Sequence, residues 1–456
     1  MKKKIALFGG SFNPPGIHHR KIVENLITDF DEVIIVPCGP RPDKLTTNDI
    51  EPIHRAVMCD MTFRNLPKVR VELFDLENGT FTRTHELEHM FTSEGEIHHI
   101  IGTDLISGGA DKQSLIHRAW QHGEFLWNNS NFVVVWRDDG TPINEASYPP
   151  HSKLVNFGIN GQSSEIREKI FCREPFEDYV VEEVQKYIER YNLYRGVYPT
   201  KTTLWKMDTP RPLKVWDENN PQAVQIASEI PIYDKGPTNC VLVIGGDGTM
   251  LRAIRKYWRL RVPFIGINTG HRGFLLNDLP ISLTKTFNVH QLPLLFVETK
   301  GKDPEWKSAL AFNDAWIERS SGQSAWIKVS VNGEVKIEKL VGDGILVSTA
   351  AGSTAYARAM GASPLLIDTQ GLNLVGSNVS EPPQWKSAQL SVDSRLDFEV
   401  LESHWRQVKG FVDGVGQGDL LTHMRIRLSR IAAVELAFLP ERDMSEKLSE
   451  IQFPKK

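Results

Sequence analysis

Over the first 195 positions, short apolar runs alternate with stretches whose apolar residues recur at helical spacing. Lys4 to Phe8 is an apolar run, Gly9 to Pro15 breaks it, and a helical pattern begins near His19, with Ile22, Val23, Leu26 and Ile27 on one face. Val33 to Pro37 follows as a second buried-type strand, which predicts a βαβ unit and a parallel sheet. Further strands are predicted at Val69 to Phe74, His98 to Gly102 and Phe132 to Trp136. Helices are predicted near Ile53 to Met61 and Thr84 to Phe91, with a last one over about Glu177 to Tyr191.

After Gly196 the pattern weakens. Residues 197–212 are polar and carry prolines, so they are read as a linker between a first domain, 1–196, and a second, 213–456. The second opens as α/β: a strand from Leu213 to Trp216, a helix around Gln222 to Glu229, then Val241 to Ile244 running into glycines. From about Leu283 short alternating strands take over, such as Trp326 to Val331, Gly344 to Ser348 and Leu396 to Glu399. This splits the second domain into an α/β part, 213–283, and a mainly β part, 284–456. The fold class is α/β, and the chain has no internal repeat.

Composition narrows the function classes. The 456 residues suffice for two to four domains, and 40% apolar with 24% charged residues is ordinary for a globular protein. Lys and Arg (53) against Asp and Glu (57) give a net charge of −4, without the basic excess of a nucleic-acid binder. Cys38, Cys59, Cys172 and Cys240 form no C-x-x-C pair, which argues against a disulfide framework or cysteine zinc site and fits a reducing cytoplasm. The apolar run after Lys2-Lys3-Lys4 is too short for a signal peptide, and no run approaches the ~18 apolar residues that span a bilayer. A soluble cytoplasmic protein without a membrane partner is expected.

Two constellations carry candidate chemistry. The first lies between a strand and a helix: Gly9-Gly10-Ser11-Phe12-Asn13-Pro14-Pro15-Gly16-Ile17-His18-His19. Glycines admit close approach of an anion, a helix N-terminus offers N–H groups and partial positive charge, and imidazoles can bind or protonate phosphate oxygens. On this segment alone, an ordinary turn with surface histidines is the alternative. Gly102-Thr103-Asp104 puts a carboxylate at a strand's C-terminal edge, where α/β folds bind ligands. Ser163-Ser164-Glu165-Ile166-Arg167 adds hydroxyls, a helix start and a guanidinium. His85-Glu86-Leu87-Glu88-His89 matches the H-E-x-x-H zinc pattern but lacks a third ligand, and is read as a solvated helix.

These motifs resemble the nucleotidyltransferase superfamily, specifically the nicotinate/nicotinamide mononucleotide adenylyltransferases, over about residues 1–195. Gly10, Phe12, Pro14 and His19 match G-x-F-x-P-x-H-x-x-H, Gly102 and Asp104 match G-x-D, and Ser163, Ser164 and Arg167 match S-[ST]-x-x-R. The family's first histidine is Gly16 here, and the glycine before the second is His18. The resemblance implies a Rossmann-like domain and direct attack of the mononucleotide phosphate on the α-phosphorus of ATP. It assigns His19, with Arg167, to the triphosphate and Asp104 to nucleotide hydroxyls. Gly10, Ser11, Phe12, His18, Ser163 and Ser164 complete the binding set, and Trp120 and Trp127 are candidates for stacking on the pyridine ring. Phosphopantetheine remains an alternative acceptor.

The second constellation is Gly245-Gly246-Asp247-Gly248-Thr249 at the end of a buried strand. It is neither a Walker loop nor a dinucleotide fingerprint. Asn268-Thr269-Gly270-His271-Arg272-Gly273-Phe274-Leu275, then Asn313-Asp314, then Asp343-Gly344 leading into Thr349-Ala350-Ala351-Gly352-Ser353-Thr354-Ala355-Tyr356, supply small residues, hydroxyls and an amide–carboxylate pair suited to a ribose and an adenine. Together they resemble the NAD kinases from about Leu213 onward, with Ala350 in place of a proline and Asp314 in place of the commoner glutamate. The stretch before Val241 is one strand short of the family's pattern.

That resemblance makes Asp247 the base for the adenosine 2′-hydroxyl. It gives Asn313 and Asp314 to the hydroxyls and ring of NAD, helped by Asp343, Thr354 and Tyr356, and Gly246, Gly248 and Thr249 to phosphates. Asp413-Gly414 resembles a late motif and is left unassigned. The reading is a fused enzyme that makes NAD from ATP and a mononucleotide and phosphorylates it to NADP, with Mg2+ accompanying ATP and a homo-oligomer as the default assembly. Its alternatives are a kinase with an inactive, ligand-binding first domain, and a non-catalytic nucleotide sensor.

Overall fold

The computed structural model describes residues 2–456 apart from 42–44, 137–147, 159–160, 197–200, 208, 232–235, 271–272, 280, 282, 284–285, 443–446, 450–451 and 454–456. It divides into two compact units, Met1–Thr200 and Lys201–Lys456.

The first unit is built on six parallel strands: β1 (Lys4–Gly10), β2 (Glu32–Pro37), β3 (Val69–Val71), β4 (Glu96–Gly102), β5 (Asn131–Val135) and β6 (Ser152–Val155). Their order is β3-β2-β1-β4-β5-β6. A parallel sheet is covered on both faces, so its central strands read as continuous apolar runs. Ile5, Ala6, Leu7 and Val33 to Val36 are accordingly buried. The order reverses between β1 and β4, which opens a crevice at their C-terminal ends. The motifs after Phe8 and after Ile101 are the two lips of that crevice.

Two predicted elements differ. Phe74 does not end a strand but starts the helix Phe74–Asn78. The predicted helix from Glu177 is interrupted: a 3-10 turn spans Glu177–Tyr179, and the α-helix is Glu182–Tyr191. Between them Val180 is buried and extended, an anchoring that a continuous helix would not allow.

The second unit contains β7 (Thr202–Lys206), β8 (Pro212–Trp216), β9 (Cys240–Gly245), β10 (Phe264–Asn268), β11 (Thr286–Lys300), β12 (Trp306–Ala311), β13 (Asp314–Arg319), β14 (Ala325–Val331) and β15 (Glu334–Gly342). It continues with β16 (Gly344–Ser348), β17 (Gly371–Ser377), β18 (Ser387–Ser391), β19 (Leu396–Val400), β20 (Val408–Val412), β21 (Val415–Asp419) and β22 (His423–Phe438). One sheet runs β15-β14-β19-β22-β10-β9-β8, with β11, β12 and β7 joined to it, and the second runs β18-β17-β16-β13-β20-β21. The inward faces of both meet in one core that includes Leu295, Ile317, Ile327, Val347 and Phe398.

Within the stretch 197–212, read as a linker, 197–200 and 208 lie outside the described residues, but Thr202–Lys206 is strand β7, paired antiparallel with β11. Its apolar content is low because one face is outward: Leu204 is exposed while Trp205 packs inward. The boundary at 283 is also crossed. The end of β22 pairs parallel with β10, Phe264 opposite Leu436 and Ile265 opposite Ala437.

Candidate functional site

In the first unit, the loop Ser11–Gly16 leads from β1 into the helix Ile17–Leu26. Its carbonyls are tied down by donors. Arg55, 1% exposed, donates from Nε (3.0 Å) and Nη2 (2.6 Å) to the Ser11 carbonyl and from Nη2 to that of Cys38 (2.5 Å). Arg167 Nη1 donates to the Asn13 carbonyl (2.6 Å), and Ser163 Oγ to the Pro14 carbonyl (2.8 Å). Asn13 is fully buried, its Oδ1 accepting from the Tyr194 hydroxyl (2.6 Å) and its Nδ2 donating to the Thr46 carbonyl (2.6 Å). Arg167 and Ser163 thus meet the loop, as the sequence places them in one site. Arg55 was not foreseen: a lone arginine inside an apolar helix carries no motif.

The Gly16 N–H donates to His19 Nδ1 (3.0 Å), so a neutral His19 carries its proton on Nε2. The His18 and His19 rings lie 3.9 Å apart between centroids. His18 is 8% exposed, and a Cβ on Gly16 would stand 2.6 Å from its Cε1 and Nδ1. The His18 ring, with Ile166 Cδ1, therefore fills the space beside Gly16 that a side chain at 16 would enter. Phe12 is buried against His19, with centroids 5.0 Å apart.

A cavity of about 740 Å3 of open and enclosed space lies beside Gly9 and Gly10, lined also by Arg41, Thr82, His99 and Trp120. Asp104 is exposed in the 3-10 turn Thr103–Leu105, and Ser164 Oγ is engaged with Gln162 Oε1 (3.2 Å). Trp127 is a correction. It is buried in the cluster with Ile101, Ile116 and Phe132, its ring on His117 at 4.5 Å, so it is core and not a stacking surface. In the H-E-x-x-H stretch, Glu86 accepts the Arg83 N–H (2.7 Å) at the helix start, and Glu88 accepts from His99 Nε2 (3.2 Å) and Ser130 Oγ (2.7 Å). Among the described residues no group of three or more His, Cys, Asp or Glu is placed to hold a metal ion.

In the second unit, Asp247 is the first residue of the helix Asp247–Tyr257, directly after β9. Its Oδ2 accepts the Phe274 N–H (3.0 Å) and its Oδ1 the Leu275 N–H (2.9 Å), so the glycine loop and Asp247 are one assembly. Burial raises its pKa above the ordinary carboxyl value, against the pull of those amides and of Arg442 and Lys447. Arg442 Nη2 holds the Gly273 (3.3 Å) and Phe274 carbonyls, and Lys447 Nζ also reaches the Gly273 carbonyl (3.3 Å). His271 and Arg272 lie outside the described residues.

Gly246 and Gly248 have nothing within 4 Å of where a Cβ would stand, so their backbone borders open space. Thr249 is a correction. It is 3% exposed and turned under Gly245, whose Cβ would lie 2.6 Å from Thr249 Oγ1, so its side chain faces the fold instead of a phosphate.

Asn313 and Asp314 are buried at the start of β13. Asn313 is 7% exposed and its Oδ1 has no hydrogen-bond partner. A buried acceptor left unpaired is costly, and a ligand donor would relieve it. Burial, then the nearby Asp413 carboxylate, pushes the Asp314 carboxyl up to about 7. Thr349 holds this turn through bonds to the Phe312 (2.7 Å) and Asn313 (3.3 Å) carbonyls, and a Cβ on Gly352 would strike the Asn313 carbonyl at 2.2 Å.

A cleft open to solvent is walled on one side by Phe274 and Leu275, which pin Asp247, and on the other by Ala350, Ala351 and Thr354. Tyr356 is exposed beside Trp316. Asp343 stands apart: it pairs with Arg319 Nε (2.6 Å) and Asn378 Nδ2 (2.6 Å), at the far end of the β13–β16 ladder from Asp314. Five residues of strand separate them, roughly 16 Å.

Residues 7–169 match a family model described as cytidylyltransferase-like, and residues 181–287 match the ATP-NAD kinase N-terminal domain. The NAD kinase of Rickettsia felis is 31% identical over 220 residues, 47% of this chain and 85% of that protein. The NAD kinase of Rickettsia bellii is 30% identical over 251 residues, 52% of this chain and 96% of that protein. Among solved structures, yeast NADH kinase complexed with NADH is similar at a TM-score of 0.42 and 16% identity, over 78% of this chain and 88% of that one.

Proposed function

The chain belongs to the NAD kinase family, and we propose that its two units catalyse consecutive reactions, adenylyl transfer to a pyridine mononucleotide and phosphorylation of the resulting NAD. It is a transferase with a nucleotidyltransferase-like domain fused ahead of the kinase. The observation that carries the kinase reading is that the loop that pins Asp247 and the turn that adjoins Asn313 face each other across one solvent-open cleft.

In the first reaction a phosphate oxygen of nicotinamide or nicotinate mononucleotide attacks the α-phosphorus of ATP. The new P–O bond forms as the bond to pyrophosphate breaks, and no covalent enzyme intermediate is needed. The His19 Nε2–H, Arg167, and the backbone at Gly10 and Ser11 hold the triphosphate. Asp104 holds hydroxyls, and Trp120 offers its face to the pyridine. His18, packed against His19, keeps that ring in place.

In the second reaction the 2′-oxygen of the adenosine ribose attacks the γ-phosphorus of ATP and ADP leaves. Asp247 takes the hydroxyl proton late in the transfer, since a carboxylate is a weak base for an alcohol, and burial makes it a somewhat stronger one. Asn313 and Asp314 hold NAD, with Thr354 and Tyr356 beside them and the Gly246 and Gly248 backbone toward phosphates. Magnesium accompanying ATP would neutralise phosphate charge. By resemblance the assembly is a cytoplasmic homo-oligomer.

The test incubates the full chain with magnesium-ATP and either mononucleotide, and separates products by mass. NADP from the mononucleotide supports both activities. NADP only from added NAD would leave a kinase with an inactive first unit, and no product from any substrate would overturn the enzymatic reading.

A further inference from the structure

We propose that Asp413 is a positioning residue of the kinase site, holding the backbone of Asn313–Asp314 and linking it to the helix that begins at Asp247. The proposal rests on the reading of Asn313 and Asp314 as the residues that hold NAD.

Asp413 and Gly414 are the two-residue turn between β20 and β21, with φ of +44° and +78°. Aspartate–glycine is a common sequence for such a hairpin, and the turn alone would explain both residues. The side chain does more than the turn requires. Its Oδ2 accepts the Phe312 N–H (2.7 Å), and its Oδ1 accepts the N–H of Asn313 (2.8 Å) and of Asp314 (3.2 Å). The Asp413 N–H in return donates to the Asp314 carbonyl (2.9 Å). Its own carbonyl accepts from Arg255 Nη2 (3.1 Å), on the helix whose first residue is Asp247.

Consecutive amides on one carboxylate fix the turn on its donor side, while Thr349 fixes the Phe312 and Asn313 carbonyls on the other. The backbone from 312 to 314 is therefore held on both sides, and it presents an Asn313 whose Oδ1 is buried and without a hydrogen-bond partner, an acceptor that a ligand donor would satisfy. Buried charge is costly, so a carboxylate here, where a neutral amide could also cap a turn, calls for a second role. That role is its field on Asp314. The groups facing Asp314 are Asp413 from the hairpin and Tyr356 from the helix Tyr356–Ala359, with Glu318 and Asp343 beyond Tyr356 and Arg255 beyond Asp413. Asp413 is the charge that acts most directly, and it favours the protonated Asp314, which can donate as well as accept toward paired ribose hydroxyls.

The experiment measures NADP formation by the full chain against NAD concentration and pH for wild type, Asp413→Asn and Asp314→Asn. Asp413→Asn keeps one acceptor oxygen and the turn but removes the charge. We expect its KM for NAD to rise roughly 10- to 100-fold, as loss of charge-assisted bonds implies. The alkaline limb of kcat/KM that Asp314 sets should move to lower pH, because Asp314 then loses its proton more easily. A purely structural Asp413 would lower thermal stability and the active fraction while leaving KM and the alkaline limb of the wild type, and that result would overturn the proposal. Asp413→Glu should restore KM in part by retaining the charge. If Asp314→Asn itself leaves KM for NAD unchanged, the placement of NAD on Asn313–Asp314 fails first. If Asp314→Asn raises KM and Asp413→Asn does not, that placement survives and only the role of Asp413 falls.

Discussion

The two candidate sites hold their loops with opposite charges. In the first unit, Ser11, Asn13 and Pro14 turn their carbonyls to Arg55, Arg167 and Ser163. In the second, Phe274, Leu275 and the residues from Phe312 to Asp314 turn their N–H groups to Asp247 and Asp413. A peptide segment has about as many donors as acceptors, so tying down one kind leaves the other for the ligand. The first site is left with amides and cations, suited to a triphosphate with no counter-charge of its own. The second is left with carboxylates and an unpaired amide oxygen, suited to hydroxyl groups that donate. A phosphorus of ATP is attacked in both proposed reactions, and the difference follows the attacking group: a mononucleotide phosphate in the first, a ribose hydroxyl that must lose its proton in the second.

The largest effect should come from breaking the acidic side. Asp247→Asn keeps the shape and removes the proton acceptor. NADP formation should fall about 10²- to 10⁴-fold, the usual span for a general base. NAD formation from the mononucleotide by the same preparation should stay within about twofold of wild type. Equal loss of both products would show that the two fields are not independent.

Breaking the basic side should act on stability before chemistry. Arg55→Met leaves the Ser11, Cys38 and Thr47 carbonyls without their donor, a cost of about 2–4 kcal/mol. Calorimetry should show the transition of the first unit moving down while that of the second stays. An unmoved first transition would mean that water replaces the guanidinium without loss, and that Arg55 does not organise the loop.

A smaller effect should come from Gly16→Ala, which places a Cβ 2.6 Å from the His18 ring. Overpacking of this kind costs about 1–3 kcal/mol, or about tenfold in NAD formation if the ring's place matters. Adding His18→Gly should relieve the clash and recover part of the rate. Recovery would establish the exchange of glycine and histidine as a coupled pair, and a further loss would show that His18 does its work apart from position 16.

These comparisons also mark what was legible in the sequence. Both loops, the α/β class and elements such as Thr84–Phe91 and Gly344–Ser348 follow from periodicity and glycine spacing, because those features report local sterics. Of the residues that hold the loops, Arg167, Ser163 and Asp247 carry motifs, but Arg55 and the grip of Asp413 on Asn313 were not legible. Arg55 lies 44 positions from Ser11, and Asp413 lies 100 from Asn313, so only tertiary folding brings them together. Strand β7 was hidden for a related reason: an edge strand buries one face, and Thr202–Lys206 has little apolar content to show. Trp127 and Thr249 went the other way. Each is a residue type with a ready functional reading, and only burial shows that packing claims it.

The smallest effect is a pH dependence of stability, and its sign follows from Asp314. Burial and the Asp413 charge raise its carboxyl from the usual 3.8 to about 7 in the folded chain. Between those values the folded state binds more protons at this position than the unfolded state does. Its contribution to stability is therefore present below pH 4 and is lost as pH rises through 7. Asp314→Asn removes the titration, so the second unit should gain stability relative to wild type at pH 8 and gain little at pH 5. Each kcal/mol corresponds to about 2–4 °C in a domain of this size, within reach of calorimetry. Asp343 is the contrast within the same unit: Asn378 and then Arg319 hold its pKa below the usual value, so its contribution runs in the opposite sense, and exposure to solvent keeps it small. A gain in Asp314→Asn that is the same at pH 5 and pH 8 would show that Asp314 carries its charge across the whole range, and that the acidic field of the second site is more fully screened than its burial implies.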